Sequence, residues 1–187
     1  MTEINFTSRF VAITDKEFSQ LAKKIGKQQS VNYPWTLKES VLAQDTYTKG
    51  VCDCTACLIS DGEKSLLMHL CPTTSSNNHS QYAILEFLRS KINLNNENLQ
   101  AVLIGSKKDK KSQNVYTNLQ ELLKRLNIPA SELKIGKGSV NLAYRSDTDE
   151  LYITNRQIED SLKKGLNNRE CLESGFEKIS ITDYDEI

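Results

Sequence analysis

Residues 48–72 read TKGVCDCTACLISDGEKSLLMHLCP, and this stretch predicts a β-hairpin. Residues 51–59 are β-branched, small or apolar, Asp61-Gly62 is a strong turn signal, and residues 66–70 form a second apolar run. The stretch holds four of the chain's five cysteines and one of its two histidines. Because a hairpin sets two strands side by side, a thiol on the first strand can face His69 on the second. An imidazole within reach would stabilise the thiolate of a cysteine, whose free pKa is about 8.5.

Outside the hairpin, helical and strand patterns are mixed along the chain. Thr14 predicts a capped helix start, and apolar residues at helical spacing predict helices near residues 15–25, 82–92, 119–126 and 158–162. Short apolar runs predict strands at residues 99–104, 140–144, 151–154 and 179–184, while residues 27–40 and 105–113 have the polar composition of loops. These patterns favour an α/β fold in which a mixed, β-sandwich-like sheet is flanked by helices.

Length, charge and cysteine content limit the number of domains, the partners and the compartment that the sequence predicts. The 187 residues suffice for a single domain, and 24 basic residues balance 24 acidic ones, which argues against a nucleic-acid partner. The lysine-rich residues 107–111 are therefore expected to form a solvated loop. Neither a membrane span nor the apolar core of a signal peptide is predicted. An odd number of cysteines without an export signal predicts free thiols in a reducing compartment.

The cysteines of the hairpin admit several interpretations. On a regular strand Cys52 and Cys54 share one face and Cys57 points to the other. All three could be small buried apolar side chains. Together with His69 and Cys71 they also supply enough ligands for tetrahedral zinc, in a zinc-stabilised binding module, although cysteines inside a strand are unusual for such a site.

A third interpretation is catalytic, and it comes from a resemblance. The hairpin resembles the active-site hairpin of the CheD-type protein glutamine deamidases and of the related catalytic domain of the cytotoxic necrotizing factors. The matching positions, in order, are Thr48, Gly50, Cys54, Asp61, His69 and Pro72. Farther along, the resemblance implies a helix opened by an asparagine and a glycine-containing turn before two strands; the matching positions are Asn114, Ile128, Gly136, Arg145 and Thr148. The resemblance covers residues 45–155. Residues 1–44 are then an N-terminal helical extension and residues 156–187 a C-terminal extension, all within a single domain.

The resemblance implies a cysteine-dependent enzyme that converts a glutamine side chain of a target protein to glutamate. Cys54 would be the nucleophile, His69 the general base and acid, and Thr48 the group that orients the imidazole; no cofactor or metal is expected. Cys52 stays open as the alternative nucleophile, because a threonine also lies six residues before it. The setting would be the bacterial cytoplasm, or a host cytosol to which a toxin-like effector is delivered. Another thiol enzyme, a transglutaminase or protease, is the remaining alternative.

Two further residues carry smaller expectations. Trp35, which follows Pro34 in a polar segment, is expected to pack at the edge of the core. His79 lies in a polar stretch after the hairpin and is expected to be a solvated loop residue rather than a second base.

Overall fold

Two mixed β-sheets and five α-helices form the part of the chain that the computed structural model describes, residues 9–72, 79–105 and 110–180. The first sheet contains, in spatial order, β1 (Arg9–Ala12), β10 (Glu150–Thr154), β9 (Val140–Arg145), β4 (Thr46–Val51) and β2 (Ser30–Val31). Its edge strands β1 and β2 run parallel to their neighbours, and the inner pairs are antiparallel.

The second sheet is larger and carries the hairpin at its centre. Its order is β11 (Lys178–Ser180), β8 (Ala130–Lys134), β7 (Gln100–Gly105), β5 (Thr55–Ser60), β6 (Ser65–Leu70) and β3 (Val41–Ala43). The pair β7 and β8 is parallel, and every other neighbouring pair is antiparallel. The predicted mixed α/β class is confirmed.

The helices cover the outer faces of the sheets and one end of the core. They are α1 (Asp15–Ile25), α2 (Gln81–Lys91), α3 (Lys110–Arg125), α4 (Arg156–Lys163) and α5 (Asn168–Gly175). α1 packs on the first sheet through Phe18, while α2 and α3 bury Leu88 and Leu119 against the second sheet. The described helices include none that is both long and apolar enough to cross a membrane.

Strand alternation divides the hairpin between two apolar cores. Ala56 and Leu58 point into the core between the two sheets, together with Leu67 of β6. Cys57 and Met68 point the other way, into the core beneath α2 and α3. The hairpin is therefore buried on both faces, which agrees with its nearly continuous apolar sequence.

The predicted continuous strand over residues 51–59 is wrong. β4 ends at Val51 in the first sheet and β5 begins at Thr55 in the second, so residues 52–54 form the bend by which the chain crosses between the sheets. Gly50 introduces this crossing: its φ is +70°, and the register of β4 against β9 shifts between Thr48 and Val51. A glycine adopts this left-handed conformation without a steric penalty.

Other elements match the predictions unevenly. Thr14 caps α1 in a reciprocal capping box with Glu17, as its sequence position predicted. The predicted loop at residues 105–113 is wrong at both ends, because β7 ends at Gly105 and α3 begins at Lys110; residues 106–109 lie outside the described residues. Asn114 lies inside α3 rather than at its start. Residues 181–184 of the predicted last strand lie outside the described residues. The described part of the segment before residue 45 contributes three strands in addition to its helix.

Candidate active site

The candidate site lies between the two sheets, where β4 of the first faces β6 of the second. The hydroxyl Oγ1 of Thr48 and Nδ1 of His69 are 2.7 Å apart, and both residues are fully buried. Thr48 reaches this position because it lies in β4, just before the bend. His69 faces it because the side chains of β6 alternate between the two cores, and His69 falls on the side that faces the first sheet. The pairing of Thr48 with His69 therefore depends on the sandwich, not on the hairpin alone.

The hydrogen bonds of Thr48 determine which ring nitrogen of His69 carries the proton. Oγ1 of Thr48 also donates to the carbonyl oxygen of Val31, at 3.1 Å. Since the hydroxyl has a single proton, both contacts are hydrogen bonds only in the tautomer of His69 that carries its proton on Nδ1. The unprotonated nitrogen is then Nε2, which is buried and has no hydrogen-bond partner among the described residues. This arrangement leaves the basic nitrogen free, as a general base requires.

Trp35 completes the immediate surroundings of the imidazole. Its ring stacks on His69 with centroids 4.7 Å apart and an angle of 9° between the planes. Its backbone carbonyl accepts a hydrogen bond of 3.0 Å from the N–H of Cys71, just beyond the end of β6. Trp35 packs against the core between the sheets, so the expectation of a packing residue is confirmed, but the position of its ring against His69 was not predicted.

Cys54 lies at the end of the bend and is almost completely buried, with 5% of its surface exposed. Its thiol lies near the thiol of Cys71, one of the groups that raise its pKa. The last ladder pair of the hairpin is Thr55 with Leu70; extended by one position into the bend, this register sets Cys54 opposite Cys71, on the face shared by Ala56 and His69. Cys54 and His69 are thus diagonal neighbours across two strands, but the free Nε2 shows that they form no direct hydrogen bond with each other.

Burial acts on both ionisable groups of the predicted pair. It raises the pKa of the Cys54 thiol well above its ordinary value, and the neighbouring Cys71 adds to this effect. It also lowers the pKa of His69 to about 4. These directions are opposite to those of the thiolate–imidazolium pair that the sequence predicted, because a dry environment disfavours both charges. Around neutral pH the free protein holds a neutral thiol and a neutral imidazole.

The remaining hairpin cysteines differ in environment. Cys52 is half-buried in the bend, and its thiol donates to Oδ1 of Asp53 at 3.7 Å. Cys57 is fully buried under the helices, and burial raises its pKa to about 12. Cys57 therefore faces away from His69, as predicted. The prediction that Cys52 and Cys54 share one face of a strand is wrong, because both residues lie in the bend.

His79 is buried, with 2% of its surface exposed, so the expectation of a solvated loop residue is wrong. Burial lowers its pKa, and the nearby backbone of Cys71 partly offsets that effect, while neither ring nitrogen has a hydrogen-bond partner among the described residues. Its own carbonyl oxygen accepts a hydrogen bond from Asn118 of α3, at 3.2 Å. Cys71 thus lies beside Trp35, Cys54 and His79. From the sequence, Cys71 was considered only as a possible zinc ligand. The position of Cys71 two residues after His69, on the same side of a strand, was the available signal.

Within the described residues, His, Cys, Asp and Glu side chains form no group of three or more that could hold a metal ion. The zinc interpretation would need such a group at the hairpin.

No protein-family model matches the chain, and no curated protein matches it.

Proposed function

We propose that the protein is a cysteine-dependent protein glutamine deamidase in which Cys54 is the nucleophile, His69 the general base and Thr48 the group that orients the imidazole. The observation that carries the proposal is the buried hydrogen bond of 2.7 Å between Thr48 and His69, which leaves Nε2 unprotonated on the face of the hairpin that carries Cys54. The order of threonine, cysteine and histidine in the deamidases that the hairpin resembles is consistent with these roles.

Catalysis would begin from the neutral pair. Diagonal side chains on antiparallel strands lie about 7–8 Å apart, so a rotation of the Cys54 side chain away from Cys71 can bring its thiol to Nε2 of His69. The imidazole then takes the thiol proton as the sulfur attacks the carboxamide carbon of the substrate glutamine. In this mechanism the thiolate exists only as the bond forms, which suits a site where burial disfavours charge.

The later steps use the same imidazole. Protonated Nε2 donates its proton to the departing amide nitrogen, which leaves as ammonia, and the acyl group stays on the sulfur of Cys54 as a thioester. Nε2 next takes a proton from water as the water oxygen attacks the thioester carbon. The C–S bond breaks, the proton passes from Nε2 to the sulfur of Cys54, and the target protein leaves with a glutamate side chain. Thr48 keeps the ring in a single orientation through both proton transfers, the task of the third member in other triads.

The experiment that tests the proposal is mass spectrometry of proteins from a bacterial lysate and from a eukaryotic lysate, each incubated with the protein or with its Cys54→Ala variant. Deamidation converts –CONH2 to –COOH and adds about 1 Da to the modified glutamine. Glutamines converted only by the unmodified protein would support the proposal. New crosslinks would indicate a transglutaminase and new chain ends a protease. Equal conversion by the variant would overturn the role of Cys54.

A further inference from the structure

Cys54 and Cys71 lie opposite each other at the open end of the hairpin, and the proposed reaction does not require this placement. β5 and β6 pair antiparallel, and their last ladder pair is Thr55 with Leu70. One position farther along, the same register sets Cys54 directly opposite Cys71. The thiol of Cys71 is among the groups that raise the pKa of the Cys54 thiol, so the two side chains are close neighbours, which agrees with this placement.

The hydrogen bonds of the hairpin show whether the Cys54–Cys71 position is a hydrogen-bonded or a non-hydrogen-bonded position of the antiparallel ladder. At the hairpin turn, the N–H of Asp61 donates to the carbonyl of Lys64, so these two residues form a hydrogen-bonded pair. Hydrogen-bonded and non-hydrogen-bonded pairs alternate along an antiparallel ladder. Counting from Asp61, the Cys54–Cys71 position is non-hydrogen-bonded. The N–H of Cys71 accordingly points away from β5 and donates to Trp35.

Non-hydrogen-bonded positions bring opposite side chains closest together. Their Cα atoms are about 4.5 Å apart, whereas disulfides join residues whose Cα atoms lie about 4.4–6.8 Å apart. We propose that Cys54 and Cys71 are an oxidative modification site at which a disulfide forms across the hairpin without separating the strands.

Oxidised glutathione, or another small disulfide, would supply the oxidising equivalents. Cys71 is the more exposed of the two, so its thiolate attacks the small disulfide first and gives a mixed disulfide and one thiolate of glutathione. The sulfur of Cys54, after losing its proton, then attacks the Cys71 sulfur and releases the second glutathione. Two protein thiols become one disulfide, and one glutathione disulfide becomes two thiols.

The disulfide does not depend on the proposed deamidase activity, but its consequence does. Sγ of Cys54 is the atom that would attack the substrate carboxamide, and in the disulfide it is bonded to Sγ of Cys71 and cannot form the nucleophilic thiolate. If the proposed function holds, oxidation of this pair reversibly switches the enzyme off.

Peptide mapping of the full-length protein, equilibrated with mixtures of reduced and oxidised glutathione, tests the site. Trypsin cleaves after Lys49, Lys64 and Arg89, so Cys71 lies in a different peptide from the other hairpin cysteines. The expected product is a linked pair of peptides, residues 50–64 with residues 65–89, lighter by about 2 Da than their sum because two hydrogens are lost. Reduction should separate them.

Three variants identify which cysteine of the first peptide is linked. The linked pair should persist in Cys52→Ser and in Cys57→Ala and disappear in Cys54→Ser. The proposal is overturned if the unmodified protein forms no linked pair at any glutathione ratio, or if the link is lost in Cys52→Ser and kept in Cys54→Ser.

Deamidase activity measured on the same samples separates this proposal from the previous one. Activity should fall in proportion to the disulfide fraction and return on reduction, while Cys71→Ser should keep its activity in oxidised glutathione. A fully formed disulfide with undiminished activity would establish the modification site and overturn Cys54 as the nucleophile.

Discussion

Nδ1 of His69 lies 2.7 Å from the hydroxyl of Thr48, and this hydroxyl in turn donates to the carbonyl of Val31. The chain of hydrogen bonds starts on the second sheet and ends on the edge strand of the first. It ties the orientation of the imidazole to the packing of the two sheets. Variants of Thr48 should therefore affect the reaction and the stability of the fold together.

Thr48→Val keeps the shape of the side chain but leaves Nδ1–H of His69 and the Val31 carbonyl without their partner. We expect a loss of about 1–3 kcal/mol in the free energy of unfolding, the usual cost of an unsatisfied buried group. We also expect kcat to fall about 10–100-fold, because a general base contributes about 10²–10⁴-fold only when it is oriented. Urea denaturation and steady-state kinetics measure the two effects. Thr48→Ser, which retains the hydroxyl, should recover most of both; a Ser variant as impaired as Val would contradict the role of the hydrogen bond.

Cys54→Ala should reduce deamidation at least about a thousandfold, as the loss of a nucleophile does in other acyl-transfer enzymes. Its melting temperature should change little, because a small side chain replaces a small one at the end of the bend. The matched control is Cys57→Ala, on the opposite face of the hairpin, which should keep its activity at the cost of about 1 kcal/mol of stability from the lost core packing. If Cys52→Ala is inactive and Cys54→Ala is active, the nucleophile is Cys52.

The pH dependence of alkylation distinguishes a neutral thiol from an ion pair at Cys54. Since burial raises the pKa of this thiol, its thiolate fraction near pH 7 is smaller than that of an ordinary cysteine. Site-resolved mass spectrometry after iodoacetamide treatment should show Cys54 reacting more slowly than free glutathione at pH 7, with a rate that is still rising above pH 9. His69→Ala should leave this rate nearly unchanged in the absence of substrate. Faster alkylation than glutathione at pH 6–7 would instead support the thiolate–imidazolium pair.

Much of the site follows from the sequence of the hairpin, and the rest depends on long-range packing. The turn at Asp61-Gly62 and the position of Cys57 on the face of the hairpin away from His69 follow from local chemistry and strand alternation. The bend at residues 52–54 does not, because β4 and β5 belong to different sheets and the sequence between them has the composition of a strand. The opposite pKa shifts of Cys54 and His69 likewise come from how deeply the sandwich buries them. Trp35 reaches His69 from a segment far along the chain, which no local pattern predicts.

Trp35 should control the acid limit of the reaction, because its ring covers one face of His69. The folded-state pKa of His69 is about 4, against 6.5 for an ordinary histidine, and burial is the cause. The active form is the neutral base, so activity is lost as pH falls through this pKa. Trp35→Ala admits water to the ring, and both the pKa of His69 by NMR titration and the acid limb of kcat should move upward toward 6.5. Trp35→Phe preserves a stacked ring and should move them much less.

Tyr33→Ala is the matched control for Trp35. Tyr33 contacts the Trp35 ring edge-on, with centroids 5.5 Å apart, but 78% of its surface is exposed, so its removal uncovers little of the site. Its acid limb should coincide with that of the unmodified protein. The backbone bond from Cys71 to the Trp35 carbonyl does not involve the indole, so it can persist in Trp35→Ala and keep the end of β6 in place. If Trp35→Ala lowers kcat at every pH by the same factor and leaves the pKa of His69 near 4, Trp35 supports the fold alone and does not set the basicity of the imidazole.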